Sequence, residues 1–339
     1  MRKVCFGPVW GEALYGAVGG NMQEFFGFRN FRQFERSRRE IKLPYDLLND
    51  IPIRAALELF EAKALFDGEE SSINLRVANH RGKLYLDLCD RAWRAVEIDA
   101  EGWRIVDRPP PRFHHTRGSR PLPAPERGGS LDELSRFLNV DHQGWILIKA
   151  FLVAALRPSV PCLILVAKGE QGAGKTTACR IISALIDPRT GALRGVPREV
   201  RDLIAAARNS WLVCFDNLSH LPEELADAAC RLAIGGGFGG RELYSDHDEA
   251  IFDATRPMVF NAIPDLGAAR PDFLDRAVIV EFLDMKPVMR RDEAQFWREF
   301  EEVRPESWVH CSMPPRRDLG TCPTSGSISR CGWPTSRSK

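Results

Sequence analysis

The chain has 339 residues, 44% of them hydrophobic and 27% charged, with a formal net charge of +1. At roughly 150 residues per domain, that is enough chain for about two domains and a sizeable core. The balance excludes a disordered polymer, a collagen-like fibre and a supercharged nucleic-acid coat, although a local stripe of Arg can still bind nucleic acid within a neutral chain. The longest apolar stretch, Trp145 to Leu156, is too short to span a bilayer and contains Lys149. No apolar run follows Met1-Arg2-Lys3, so no signal peptide is expected. The nine cysteines include no C-x-x-C pair, and Cys162, Cys179, Cys214 and Cys230 fall in apolar patterns that suit small buried hydrophobes. The expectation is a reduced, cytoplasmic protein without a zinc site.

Residues 1–52 carry no assignable pattern. Gly11 to Gly27 is glycine-rich without a period, and Phe28 to Lys42 is aromatic and basic, with Arg29, Arg32, Arg36, Arg38 and Arg39. Residues 53–129 read as a helix, a small antiparallel β region and a basic linker. Helical apolar spacing runs from Ile53 to Phe66 and is broken by Asp67-Gly68. Alternating apolar residues then predict a meander over about 72–107: Ile73-Leu75-Val77, Leu84-Leu86-Leu88, Trp93 to Ile98 and Trp103 to Val106. Arg108 to Gly129 is rich in Pro and Arg and is expected to cross the surface. Its basic residues, with Arg104 (Arg108, Arg112, His114, His115, Arg117, Arg120), could track a phosphate backbone. In a chain with 38 Arg against 9 Lys, an exposed linker is the plainer reading.

A second unit is expected over 130–304. Ser130 to Glu133 forms a possible capping box, and helical spacing continues to Pro158. Strand-like and helical segments then alternate. Strands are expected at Cys162–Ala167, Trp211–Phe215, Pro257–Asn261 and Ala277–Phe282. Helices are expected at Thr176–Leu185, Val200–Ala207 and Pro222–Ala233. That order predicts an α/β fold with a mostly parallel sheet and helices on both faces. Residues 305–339 lose apolar periodicity and gain Ser, Pro, Arg and three Cys, as in a disordered tail.

Between the first strand and its helix stands Gly169-Glu170-Gln171-Gly172-Ala173-Gly174-Lys175-Thr176, which fits the Walker A pattern G-x-x-x-x-G-K-[ST] at every required position. Glycines let such a loop turn successive N–H groups onto phosphate oxygens, and the following helix N-terminus adds positive potential. Lys175 would reach the β- and γ-phosphates of ATP, and Thr176 would hold Mg²⁺. The strand ending in Asp216, expected beside the loop strand, would supply the second half of the site, a carboxylate that binds a water on Mg²⁺, 41 residues after Lys175. Asn217 follows, where many ATPases carry a carboxylate. An amide can orient water but takes no proton, and Glu224 is a distant alternative base. Asn261, at the end of the third strand, could sense the γ-phosphate. Arg276 (like Arg270 nearby) could act on a neighbouring subunit's nucleotide or form a surface ion pair with Asp272 or Asp275.

The run of GEQGAGKTT, WLVCFDNLSHLP, CRLAIGGGFGGRELYSDHDE, FDATRPMVFNAIPDL and RPDFLDRAVIVEF resembles the helicase-like ATPase half of phage and mobile-element primase–helicase proteins. That group is similar to superfamily-three helicases within the AAA+ class of P-loop NTPases. Weaker likeness extends over Leu84 to Ile98, so the resemblance covers roughly 55–304. It implies an ATP-hydrolysing, homo-oligomeric ring acting on single-stranded or forked DNA in replication. It places nucleotide-binding roles on Gly169 to Thr177 (Thr177 included), a metal role on Asp216, a sensor role on Asn261 and a trans-acting role on Arg276. A channel hairpin would lie near Gly236 to Ile251, with Arg241 and His247 as DNA contacts opposed by Asp246, Asp248 and Glu249. Two departures stand out. The residues before the ATPase do not resemble a primase half, so this chain by itself is not expected to make primers, and the text after Arg304 reads as an out-of-frame or degraded continuation. Rival readings are a nucleotide-binding but weakly active switch subunit, favoured by Asn217, and a small-molecule kinase, which shares the loop.

Overall fold

The computed structural model describes residues 3–4, 70–158, 161–218, 221–238, 252–262, 271–285 and 291–307. The predicted helix over 53–66 and the irregular tail from 308 onward lie outside the described residues.

The N-terminal part is an antiparallel meander whose alternating residues were legible in sequence. A short pair, β1 (Lys3–Val4) and β2 (Glu70–Ser71), precedes β3 (Ile73–Asn74) and then β4 (Val77–His80), β5 (Lys83–Asp87), β6 (Ala95–Asp99) and β7 (Gly102–Val106). The last four form one sheet in chain order. Ile73 and Asn74 leave that meander and pair in parallel with β8 (Arg112–Phe113). The expected surface linker is therefore a strap fastened at both sides. Phe113 and Leu122 are buried, the Leu122 N–H donates to Leu88 O at 2.9 Å, and the Arg120 N–H donates to Pro188 O at 2.9 Å. Of its basic residues, Arg120 Nε donates to Thr190 Oγ1 and Arg104 pairs with Glu97, while Arg108, Arg112 and Arg117 stay exposed.

Ser130 and Glu133 do close a capping box, but on a 3-10 helix, Leu131–Phe137, before α1 (His142–Ala155). Four parallel strands follow: β9 (Ile164–Lys168), β10 (Val213–Leu218), β11 (Met258–Ala262) and β12 (Ala277–Glu281), in the order β10-β11-β9-β12. Between them run α2 (Lys175–Ile186), α3 (Val200–Asn209) and α4 (Glu223–Ile234). The short α5 (Pro271–Leu274) precedes β12, and α6 (Glu293–Ser307) follows it. Successive strand residues point to opposite faces, so β9 shows how both faces are covered. Leu165 and Ala167 pack with α1 and α2, whereas Ile164 and Val166 pack with α3 and α4. Burial on both sides explains why the strands read as continuous apolar runs. The first of these cores continues without a break through Leu122 into Val77, Leu86, Leu88, Val96 and Ile98 of the meander.

Two details depart from the sequence reading. The strand expected to begin at Trp211 begins at Val213, because the Trp211 and Leu212 N–H groups donate to Asp187 Oδ2 instead of to a neighbouring strand. More consequentially, the strand bearing Asp216 is not adjacent to the loop strand. β11 lies between them, its Met258 to Asn261 in register with Ile164 to Ala167 on one side and Met258 to Phe260 with Val213 to Phe215 on the other. Sequence order says nothing about such an insertion, since parallel strands are joined by crossovers that can step over a position.

Candidate nucleotide site

In a parallel sheet with crossover helices, the loops leaving the strand C-termini share one edge, and ligands favour that edge. Here β9 delivers Gly169 to Gly174 to it, β10 delivers Asp216 and Asn217, and β11 delivers Asn261. The loop's geometry requires its glycines at two places. Gly169 has φ 152°, and a Cβ there would sit 2.8 Å from the Phe282 carbonyl oxygen. Gly174 has φ 89° and is the N-cap of α2. With no side chain at the cap, the first-turn amides of α2 receive no side-chain acceptor, which leaves them available to an anion.

Lys175 is folded back over this loop. Its Nζ donates to Gly169 O at 2.7 Å and to Glu170 O at 2.8 Å, and the residue is 7% exposed. Glu170 and Gln171 are exposed at the loop's crest, Gly172 has φ 85°, and Ala173 is buried beneath. Thr176 Oγ1 donates to Asp216 Oδ1 at 3.3 Å. Asn261 Nδ2 donates to Thr176 Oγ1 at 3.0 Å and also to Asp216 Oδ1. Three side chains from a helix and two separate strands thus meet at one point beside the loop. The insertion of β11 makes this possible, since it sets Asn261 between Thr176 and Asp216. A hydroxyl and a carboxylate beside anion-facing amides form an oxygen donor set suited to Mg²⁺, which prefers one or two carboxylates together with phosphate oxygens.

Asn217 is exposed, with φ 59°, and its own N–H donates to Asp216 Oδ1 at 3.1 Å. The register slips between Phe215 and Leu218, and Asn tolerates the left-handed region better than most residues. Glu224 lies in the exposed first turn of α4. Arg276 stands at the opposite edge of the sheet, where its carbonyl accepts from the Ile164 N–H at 3.4 Å. The length of β9, about 16 Å at ~3.3 Å per residue, separates it from its own chain's loop. Its Nη1 donates to the Asp272 carbonyl oxygen at 2.6 Å and not to a carboxylate. Arg241, His247 and Arg270 lie outside the described residues.

Two supporting residues escaped the sequence reading. Asn139 Nδ2 donates to Ala173 O at 3.1 Å and to Leu283 O at 2.5 Å, tying the loop to the segment after β12. Arg194 bridges in parallel to β10. It accepts the Asp216 N–H at 2.8 Å through its carbonyl and so extends the sheet by one position beside the carboxylate. Neither carries a motif. A single Asn after a helical run and a single Arg in a loop gave no signal.

Residues 130–312, just over half of the chain, match the family model described as "Actinomycete integrative conjugative element replication protein" (AICE_RepA). The chain belongs to this family. The matched span takes in every described residue of the site. No curated protein matches the sequence. Among solved structures, the A form apo structure of the NrS-1 C-terminal region aligns at 9% identity and TM-score 0.40, over 67% of this chain and 66% of that one. The apo structure of the NrS-1 C-terminal region (305-718) aligns at 11% identity and TM-score 0.40, over 63% and 53%. The X-ray structure of JCV helicase aligns at 12% identity and TM-score 0.28, over 50% and 48%. The chain thus spans about half to two thirds of the length of these structures. Among the described residues, no helix is long and apolar enough to cross a membrane.

Proposed function

We propose that this chain binds Mg²⁺–ATP in the Gly169–Thr177 loop and hydrolyses it while acting on DNA during replication of a mobile element, as one subunit of a homo-oligomeric ring. The observation that carries this reading is the meeting of Thr176, Asp216 and Asn261 beside a glycine-shaped loop whose helix N-terminus is uncapped. The loop amides and Lys175 Nζ, released from the two loop carbonyls, would hold the phosphate oxygens. Thr176 and Asp216 would hold Mg²⁺, which when bound neutralises charge on the β- and γ-oxygens. Asn261, buried and already aimed at both, would fix their orientation and present its amide towards the γ-phosphate.

In hydrolysis, a water oxygen bonds to the γ-phosphorus while the bond to the β–γ bridging oxygen breaks. ADP leaves with that electron pair, and the water's proton passes to solvent or to a base. Asn217 can orient the water but cannot accept the proton. Arg276, too far from its own loop, suits the nucleotide of the next subunit. One observation favours a second reading, a nucleotide-binding switch with slow turnover: an amide occupies position 217, and it is exposed and held in the left-handed region.

Turnover of the purified chain with and without single-stranded DNA, alongside its native mass, tests the proposal. The expected result is release of ADP and free phosphate, faster with DNA, from a multimer. A phosphorylated small acceptor in place of free phosphate would establish the kinase reading instead. Tight ATP binding without turnover would establish the switch.

A further inference from the structure

A second cluster of reactive side chains lies away from the nucleotide loop, where β5 turns towards the strap. One ligand atom from each of Asp87, Cys89 and His115 lies within 4.8 Å of the other two. Asp87 is 1% exposed, and its Oδ1 is occupied by the Cys89 N–H at 3.0 Å, leaving Oδ2 directed at the other two groups. Asp87 Oδ2 and His115 Nε2 form an ion pair at 2.8 Å whose angles are poor for a hydrogen bond, and neither atom has another hydrogen-bond partner among the described residues. A carboxylate and an imidazole buried this close, with poor hydrogen-bond angles, are better satisfied by a cation that both can ligate beside the Cys89 thiol.

The surroundings hold the cluster in place. The His115 ring is stacked on Trp93 with centroids 3.7 Å apart and planes 5° from parallel. Cys89 and Trp93 both adopt positive φ, 53° and 57°, within one turn. The Asp87 carbonyl is fixed by Arg76 Nη1 at 3.1 Å. The guanidinium groups nearby, Arg76 and Arg189, are already paired with Asp187.

We propose that Asp87, Cys89 and His115 form a zinc site that clamps the turn after β5 to the strap. Thiolate, imidazole and carboxylate together suit a borderline-soft cation that accepts four ligands, the fourth here a water. Tetrahedral Zn²⁺ with these ligand lengths sets its donor atoms roughly 3.3–3.6 Å apart, so Asp87 Oδ2 and His115 Nε2, now 2.8 Å apart, must separate by about half an ångström to share it. Burial lowers the His115 pKa, but Asp87 and Cys89 raise it to about 9, so at neutral pH binding releases one proton from Cys89 and one from His115 to solvent. No spacing in the sequence points to this site. It has no C-x-x-C, and its third member lies 26 residues beyond Cys89 on a segment that reads as linker.

The test uses the full chain and zinc alone. Cys5, Cys311, Cys322 and Cys331 are first replaced by Ser, so that these cysteines, which lie outside the described residues, contribute nothing. After chelator stripping and dialysis against zinc, this variant is expected to retain one zinc per chain, and adding Cys89→Ser is expected to remove it. Zinc absent from the first variant, or unchanged by Cys89→Ser, overturns the proposal. Should Cys89→Ser fail to fold, alkylation of the otherwise native chain decides the matter. Zinc must slow modification of Cys89 about tenfold or more, since the metal occupies the thiolate that reacts. An unchanged rate overturns the site.

Discussion

Asp187 offers a stringent test of how the two sheets are joined. It caps the end of α2, whose other end is the glycine-rich loop. Its Oδ1 accepts from Arg76 Nε at 3.1 Å and Nη2 at 3.0 Å, so it reaches across to the residue just before β4. Its Oδ2 accepts from the Trp211 N–H at 2.8 Å and the Leu212 N–H at 3.3 Å, at the head of the strand that carries Asp216. Burial alone would lower the Arg76 pKa, but the Asp187 charge and those of its neighbours hold it above the ordinary value, so the guanidinium is charged at any working pH. Asp187→Ala would leave that buried charge without its partner and strip two amides of an acceptor. Breaking a buried pair costs ~3–5 kcal/mol, and lost acceptors add to it, so a loss of about 5 kcal/mol is expected. At ~2 °C per kcal/mol for a large domain, thermal unfolding followed by circular dichroism should show a fall of about 10 °C. Asp187→Asn with Arg76→Met keeps an acceptor for the amides and removes both charges, and should recover most of that loss. If Asp187→Ala moves Tm by less than about 2 °C, or if the double variant is no better than the single one, the joint described here is wrong.

Two further outcomes concern the site. Asn217→Asp restores a carboxylate after Asp216 in a residue that still tolerates positive φ, and should raise steady-state ATP turnover at least about tenfold. Equal or lower turnover would remove position 217 from the account. Arg276→Ala should bind nucleotide normally but lose roughly 10³-fold in hydrolysis. Mixing it with Lys175→Ala subunits should restore activity, because each then supplies what the other lacks. No recovery on mixing would argue against action between subunits.

The elements with a strong period were legible in sequence, and so was the loop. The Walker A residues fix their own conformation through glycines, and β9, α2 and β11 came within two residues of their expected bounds because their apolar spacing is unambiguous. Strand order was not legible, since nothing local to Val213–Leu218 says that β11 will separate it from β9. Asn261 illustrates the consequence. As a strand-end residue it could have been a plain turn, and only its position between Thr176 and Asp216 makes it part of the site. The strap was misread for a related reason. Its Pro and Arg content suggests solvent, while its few anchors, Phe113 and Leu122, are too sparse to show a period. Asn139, Arg194 and the Asp87–Cys89–His115 cluster depend wholly on tertiary contacts and left no pattern to find.

The claim on which the functional reading rests is that phosphates sit between Lys175 and the Thr176–Asp216 pair. Calorimetric titration of Mg²⁺–ATP into the purified chain and its Lys175→Ala variant addresses it most directly. Loss of a charged hydrogen-bond donor of this kind predicts binding weakened by roughly 10–100-fold in the variant, with wild-type affinity falling when Mg²⁺ is removed. Equal affinity in both proteins, with or without the metal, would contradict it.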